Sequence, residues 1–280
     1  MLIAEFCQNH NGNKEILFDM IWKAKRSGAD ACKIQSFFAD DLSPEFSFDY
    51  DRLKGLELSW DIQAEFCKEV KSLEMIPITS VYTTKYTTLL KECGFEHIKI
   101  GSAQSKDKAL ILHYMNEGFK VHISTGGHEL QSVDLYPGAQ CVYHCVSEYP
   151  STPKNANLFR MIELAQKLGS KIIGFSDHTD PTCADWDYPI RIAIALSRFY
   201  GLSPIYIEKH FTILPRNRTK DGPVSVFPEQ LKEIKNWMVK SDAEIFGELP
   251  YIGTIFGRQD AKEIGTIERY KRRWKAVDAK

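Results

Sequence analysis

Several ionisable side chains of this chain stand inside short apolar runs, where burial is costly unless something pairs with them. Glu5 sits in LIAEFC (2–7), Lys33 in DACKIQS (30–36) and Lys99 in HIKIGS (97–102). Asp177 and His178 close KIIGFSDH (171–178), and Glu208 and His210 lie near the end of PIYIEKHF (204–211). Two ammonium groups in one cavity repel each other unless an anion lies between them. A ligand carrying phosphate and carboxylate would supply that anion. Hydroxyls stand close to the same run ends, at Ser80, Ser102, Ser124, Thr125, Ser147 and Ser176. The structural alternative is a buried ion pair, for instance Lys33 with Glu5. His178 and His210 end two neighbouring runs. Adjacent strands lie about 4.8 Å apart, so two imidazoles there can converge on one divalent ion, with carboxylate oxygens and waters completing its shell. His10, just after the first run, faces the same end.

The elements that must position these groups follow a βα alternation. Candidate strands are 2–7, 30–36, 75–81, 97–102, 120–125, 140–147, 171–177 and 204–211. Amphipathic stretches fill most gaps: 14–27, 60–74, 84–93, 106–117, 157–168 and 185–200, with 228–240 after the last strand. Gly28, Gly94, Gly118, Gly169 and Gly201 mark helix ends. Eight strands predict a single-domain α/β fold, a (β/α)8 (TIM) barrel. A doubly wound sheet is the alternative, weakened because no G-x-G-x-x-G follows the first strand. The gap between the fifth and sixth strands reads as poorly helical. Residues 37–58, rich in Asp and Phe, read as a lid or rim loop on the active face. The barrel is assigned to 1–260, and 261–280 to a basic C-terminal extension.

The 280 residues suit one such barrel, and 43% hydrophobic and 26% charged residues are ordinary globular values. With 36 Lys and Arg against 37 Asp and Glu, no basic field points to nucleic acid. No apolar run reaches the roughly 20 residues needed to cross a membrane, and MLIAEFCQNH is not a signal peptide. The seven cysteines (Cys7, Cys32, Cys67, Cys93, Cys141, Cys145 and Cys183) contain no CxxC pair. They read as buried reduced thiols of a cytoplasmic protein, with a catalytic or metal-binding thiol as the lesser alternative.

A set of motifs occurs in order along 1–231: IAEFCQNHNGN (3–13), SGADACKIQ (27–35), HIKIGSA (97–103), ISTGG (123–127), HCVSEYPSTPKNANL (144–158), IGFSDHT (173–179), IEKHFT (207–212) and DGPVSVFPEQL (221–231). In these the chain resembles the N-acetylneuraminate (sialic acid) synthase family, which includes the pseudaminic and legionaminic acid synthases. The resemblance implies an enzyme that condenses phosphoenolpyruvate with an aldose, giving a 2-keto-3-deoxy sugar acid and phosphate. It implies a divalent ion, manganese or magnesium, held by His178 and His210, with Glu5 contacting metal-bound water or the acceptor. Lys33, Ser80, Lys99, Ser102 and Ser176 match positions that hold phosphoenolpyruvate. Ser147 and Tyr149 match positions near the two substrates, Asp221 matches a sugar contact, and Asp177 is grouped with the substrate-binding residues. A homodimer is also implied. Two departures stand out. Gln104 occupies a position where the family commonly has Glu. The chain ends in ERYKRRWKAVDAK, about where a linker to an antifreeze-like domain would lie, so no such domain is expected and a separate chain could supply the acceptor lid. Two other readings remain: a metal-dependent aldolase or lyase acting on a pyruvate-like substrate, and a barrel that binds or assembles without chemistry.

Overall fold

The computed structural model describes residues 1–42, 49–130, 138–169, 172–202, 205–241 and 244–245. Eight parallel strands close into a barrel in chain order. They are β1 (Leu2–Cys7), β2 (Ala31–Gln35), β3 (Ile76–Ser80), β4 (His97–Ile100), β5 (Lys120–Ser124), β6 (Cys141–Cys145), β7 (Ile173–Asp177) and β8 (Tyr206–His210). β1 pairs with β8, Ile3 beside Glu208 and Glu5 beside His210, which completes the closure expected from the βα count.

Period-two alternation decides which side chains meet. On the outer face Leu2, Ala4, Phe6, Cys32, Ile34, Ile98 and Phe175 pack under the helices. On the inner face Ile3, Ala31, Ile78, Cys141, Tyr143 and Tyr206 plug the base of the barrel. Two residues further along the same strands, on the same face, come Glu5, Lys33, Ser80 and Glu208. Each charged side chain thus sits one layer above an apolar one, toward the C-terminal mouth. Gly174 makes room in this stack. A Cβ there would lie 2.5 Å from the Tyr143 ring, so only glycine lets the tyrosine lie across the interior.

The helices are α1 (Lys14–Arg26), α2 (Ala39–Leu42), α3 (Tyr50–Lys54), α4 (Trp60–Ser72), α5 (Thr87–Cys93), α6 (Lys108–Asn116), α7 (Phe159–Leu168), α8 (Tyr188–Phe199) and α9 (Pro228–Trp237). Several begin later than the periodicity predicts because of their caps. The Asp107 carboxylate accepts the Leu110 N–H at 2.9 Å, so α6 starts at Lys108. Pro189 occupies the first turn of α8, which therefore opens at Tyr188 instead of 185. No helix lies between β5 and β6 among the described residues.

The excursion 37–58 carries α2 and α3 over a small core of Phe37, Ala39, Leu42, Leu53 and Leu56. Arg52 ties it to the barrel rim, donating to Gln8 Oε1 at 2.6 Å just after β1. The extension 261–280 lies outside the described residues. No helix among the described residues is long and apolar enough to cross a membrane.

Candidate active site

Four inward side chains form a closed, charge-balanced cluster. Glu208 Oε2 accepts from Lys99 Nζ at 2.7 Å and lies 3.2 Å from Lys33 Nζ. Its Oε1 accepts from Ser176 Oγ at 2.8 Å. Lys33 also forms a very short ion pair with Glu5, whose Oε1 accepts the Cys7 N–H at 2.6 Å. All four charged groups are buried. The anion that two convergent lysines require is therefore present in the protein itself: it is Glu208, backed by Glu5. The Lys33–Glu5 pair, one of the two readings of the sequence, exists, yet Lys99 joins it through Glu208.

This arrangement sets the protonation states. Burial drives the Glu5 carboxyl up, Lys33 opposes the shift and Glu208 adds to it; the result is about 7. Burial also acts on Glu208, but Lys33 and Lys99 outweigh it and hold that carboxyl well below its usual range. Burial lowers Lys99 against the pull of Glu208. The Lys99 ammonium stands 3.9 Å from the Tyr143 ring centroid, a cation–π contact inside the barrel.

A pH prediction follows from Glu5. A carboxyl whose folded-state pKa exceeds the unfolded one binds its proton more tightly when folded, so its contribution to stability is present at low pH and is lost as pH rises toward about 7. His10, His144 and His178, each lowered by burial to about 4, act in the opposite sense. The difference between wild type and Glu5→Gln isolates the carboxyl. The variant's urea midpoint should gain relative to wild type between about pH 5 and about pH 7. Parallel curves would mean that Glu5 is ionised throughout that range.

The hydroxyl ring is present in part as expected. Ser80 Oγ accepts from Lys33 at 3.5 Å. Ser102 Oγ accepts the Gly126 N–H at 2.9 Å and lies 3.2 Å from Cys145 Sγ. Ser124, Thr125 and Ser147 are buried at the same end, but Thr125 is engaged with the Tyr143 carbonyl at 2.9 Å. Gln104, in the turn Ser102–Gln104 after β4, has its side-chain carbonyl buried without a hydrogen-bond partner.

Asp177 departs from expectation. It follows Ser176 on β7 and so takes the opposite face, where it accepts from Lys209 Nζ at 2.5 Å and from the Thr179 hydroxyl at 2.7 Å. Lys209 also donates to the Thr179 carbonyl at 2.7 Å. This pair is outside the mouth and fixes the backbone that carries His178.

The two histidines at the ends of β7 and β8 come together at the mouth, and each has further neighbours. The His178 and His210 rings lie 5.5 Å apart between centroids. His178 Nδ1 donates to the Val146 carbonyl at 2.5 Å, and Nε2 lies 2.9 Å from the Tyr149 hydroxyl, the two rings stacking at 4.1 Å. His210 also falls in a group with Cys7 and Asp221, whose ligand atoms all lie within 4.8 Å of one another. His210 Nδ1 and Asp221 Oδ2 are buried without hydrogen-bond partners. Asp221 is held there by the turn that follows it. Gly222 passes so close to the Arg216 carbonyl that a Cβ would lie 1.9 Å from it, and Ser225 Oγ donates to the Asp221 carbonyl at 2.6 Å. His10 stays buried, its Nδ1 accepting the Gly12 N–H at 3.0 Å.

Sequence reasoning singled out Glu208 as a buried charge but gave it no role at the site, and it left Cys7 among the core thiols. Strand parity carried the signal for Glu208, which shares its face with His210, but not for Cys7, because the register slips between Glu5 and Cys7. The same parity excludes Asp177, whose neighbours Ser176 and His178 point inward.

A parallel (β/α)8 barrel with buried, mutually paired charges at the C-terminal ends of its strands defines an enzyme of the barrel class. More closely, the chain belongs to the NeuB family, whose model matches residues 20–245. It is 30% identical over 243 residues to an uncharacterized protein of Methanocaldococcus jannaschii, covering 84% of this chain and 68% of that one. It is 29% identical over 263 residues to the N,N'-diacetyllegionaminic acid synthase of Legionella pneumophila, covering 83% and 69%. The crystal structure of the Bacillus subtilis spore coat polysaccharide biosynthesis protein SpsE superposes with a TM-score of 0.76 at 25% identity, covering 96% of this chain and 76% of that one. The chain is a synthase of transferase type, in keeping with its family and its likeness to the legionaminic acid synthase.

Proposed function

We propose that this chain condenses phosphoenolpyruvate with an amino-sugar aldose of the N-acetylmannosamine type, releasing phosphate and a 2-keto-3-deoxy sugar acid. One observation carries the reading: ammonium groups from β2 and β4 converge on a single oxygen, Glu208 Oε2, at 3.2 and 2.7 Å. Two ammonium groups focused on one buried point, with Ser80 and Ser176 beside them, suit the phosphate and carboxylate of phosphoenolpyruvate. The incoming anions would take over contacts that Glu208 now makes.

C3 of phosphoenolpyruvate bonds to the aldehyde carbon of the acceptor, whose oxygen takes a proton. Water then adds at C2, and the bond between C2 and the phosphate oxygen breaks, leaving the keto acid and phosphate. Lys33 and Lys99 hold the anionic groups throughout, and the barrel fixes the two carbons in attack geometry. Glu5, held near neutrality, is the residue suited to carry the proton. The donor set Cys7, His210 and Asp221, with its orphaned buried nitrogen and oxygen, fits a divalent cation. When bound, such an ion supplies Lewis acidity toward the acceptor carbonyl. His178, its ring 5.5 Å from that of His210, would join His210 in holding the ion on that side of the mouth. A cytoplasmic homodimer belongs to the same reading, and sedimentation as a monomer would remove the dimer.

The test is phosphate release from phosphoenolpyruvate across a panel of N-acetylated and deoxyamino hexoses and simple aldoses. Acceptor-dependent release with a product of matching mass is expected. Release without any acceptor, or none with every acceptor, would overturn the condensation.

A further inference from the structure

Three polar side chains stand in the lower part of the barrel interior, and the reaction as written uses none of them. On β4, β5 and β6, outward Ile98, Val121, Ile123 and Val142 alternate with inward His97, Lys99, His122 and Tyr143. His97 Nδ1 lies 2.9 Å from His122 Nε2, and His122 Nδ1 lies 2.9 Å from the Tyr143 hydroxyl. That hydroxyl also contacts the Cys141 thiol. Burial, with His97 and Lys99 adding to it, holds His122 well below its usual value, so the ring is neutral. A neutral imidazole has one donor nitrogen and one acceptor nitrogen. Both are in use here, one toward His97 and one toward Tyr143.

Filling the base of the barrel does not require this chain. Phenylalanine would occupy nearly the volume of Tyr143 and would need no histidine beside it. What the chain adds is a fixed ring. The hydroxyl end is tied to His122. The ring edge lies against Gly174, where a Cβ would come within 2.5 Å of it. The Tyr206 ring meets it edge-on, at 6.4 Å between centroids and 87°. The Lys99 ammonium sits over the ring, 3.9 Å from its centroid. The ammonium's other contact is Glu208, at 2.7 Å. An anion that takes over the place of Glu208 leaves the ring as the contact that still fixes Lys99. Such a contact is strongest when desolvated, and Tyr143 and Lys99 are 0% and 2% exposed.

We propose that Tyr143 is a positioning residue: pinned through its hydroxyl by His122 and His97, it seats the Lys99 ammonium and keeps it aimed at the point where the substrate anion binds. The base of the barrel thereby sets the affinity of its mouth. The inference rests on the proposed function for the identity of that anion, phosphoenolpyruvate, but not for the seat itself.

The experiment titrates the full chain with phosphoenolpyruvate by calorimetry, with no acceptor present. Tyr143→Leu removes the ring face and should weaken binding about ten- to thirtyfold. Tyr143→Phe keeps the face and should recover most of that loss. Tyr143→Phe and His122→Leu cut the same hydrogen bond, so their smaller losses should not add in the double variant. In steady-state kinetics the Tyr143→Leu loss should fall on the KM of phosphoenolpyruvate and spare that of the acceptor, a split that general loosening of the core does not give. Wild-type affinity in a folded Tyr143→Leu protein, or equal losses in the Leu and Phe variants, overturns the seat. Additive losses overturn the pin. A second measurement does not depend on any variant folding. In wild-type protein carrying 13C-labelled lysine, the ring current of Tyr143 should move the Lys99 Hε signals, assigned through the Lys99 backbone, upfield. Signals at the ordinary lysine position overturn the seat. If wild type binds no phosphoenolpyruvate, the proposed function fails, and the position of the Hε signals then decides the seat alone.

Discussion

Lys99→Met should lower kcat/KM for phosphoenolpyruvate by about two to three orders of magnitude. Truncating one partner of a buried, hydrogen-bonded charge pair formed on binding costs about 2–5 kcal/mol, and each 1.36 kcal/mol is a factor of ten in rate. Lys99 donates at 2.7 Å to Glu208 and is 2% exposed, so solvent screens little of its field. Phosphate-release kinetics and calorimetric titration with phosphoenolpyruvate read the effect. Loss of charge also unbalances the cluster, because Glu208 then keeps only Lys33 and Ser176. The double variant Lys99→Met with Glu208→Gln separates the two consequences. It removes one positive and one negative charge together, so stability should return while turnover stays lost. If phosphoenolpyruvate binds Lys99→Met as tightly as wild type, the lysine serves only the internal ion cluster.

The barrel was legible because its evidence is distributed: eight apolar runs separated by amphipathic helices leave few other closures. The inward charges were legible individually, since Glu5, Lys33 and Lys99 each break an otherwise apolar run. Beyond Lys33 with Glu5, their mutual pairing was not. It depends on parity around the ring, which puts Glu208 and not Lys209 beside Lys99, and on the closure of β8 against β1, which sets Glu5 beside His210. The Cys7 group was hidden for a different reason. A thiol in an apolar run reads as core, and only the bulge after Glu5 and the turn around Gly222 bring it to His210 and Asp221. Tertiary geometry of this kind leaves no periodic trace.

The same parity argument predicts that Lys209 and Asp177 serve the fold and not the substrate. Both are essentially inaccessible, at 0% and 1% exposure, and they meet at 2.5 Å on the outer face of the barrel. Lys209→Met strands the Asp177 carboxylate there with only Thr179 donors, so unfolding free energy should fall by about 3–5 kcal/mol. Asp177→Asn should be destabilising in the same way, because it leaves an ammonium group buried that desolvation already disfavours. Replacing both partners by apolar residues, Lys209→Met with Asp177→Leu, should recover much of the loss, since removing a buried pair together spares the orphaned charge. Urea unfolding measures all three. The decisive control is phosphoenolpyruvate affinity of the folded Asp177→Asn protein. Unchanged affinity with lowered stability fits an outward pair that only positions the strand carrying Ser176 and His178. Lost affinity with full stability would return Asp177 to the substrate site and contradict the strand register from which its outward orientation is argued.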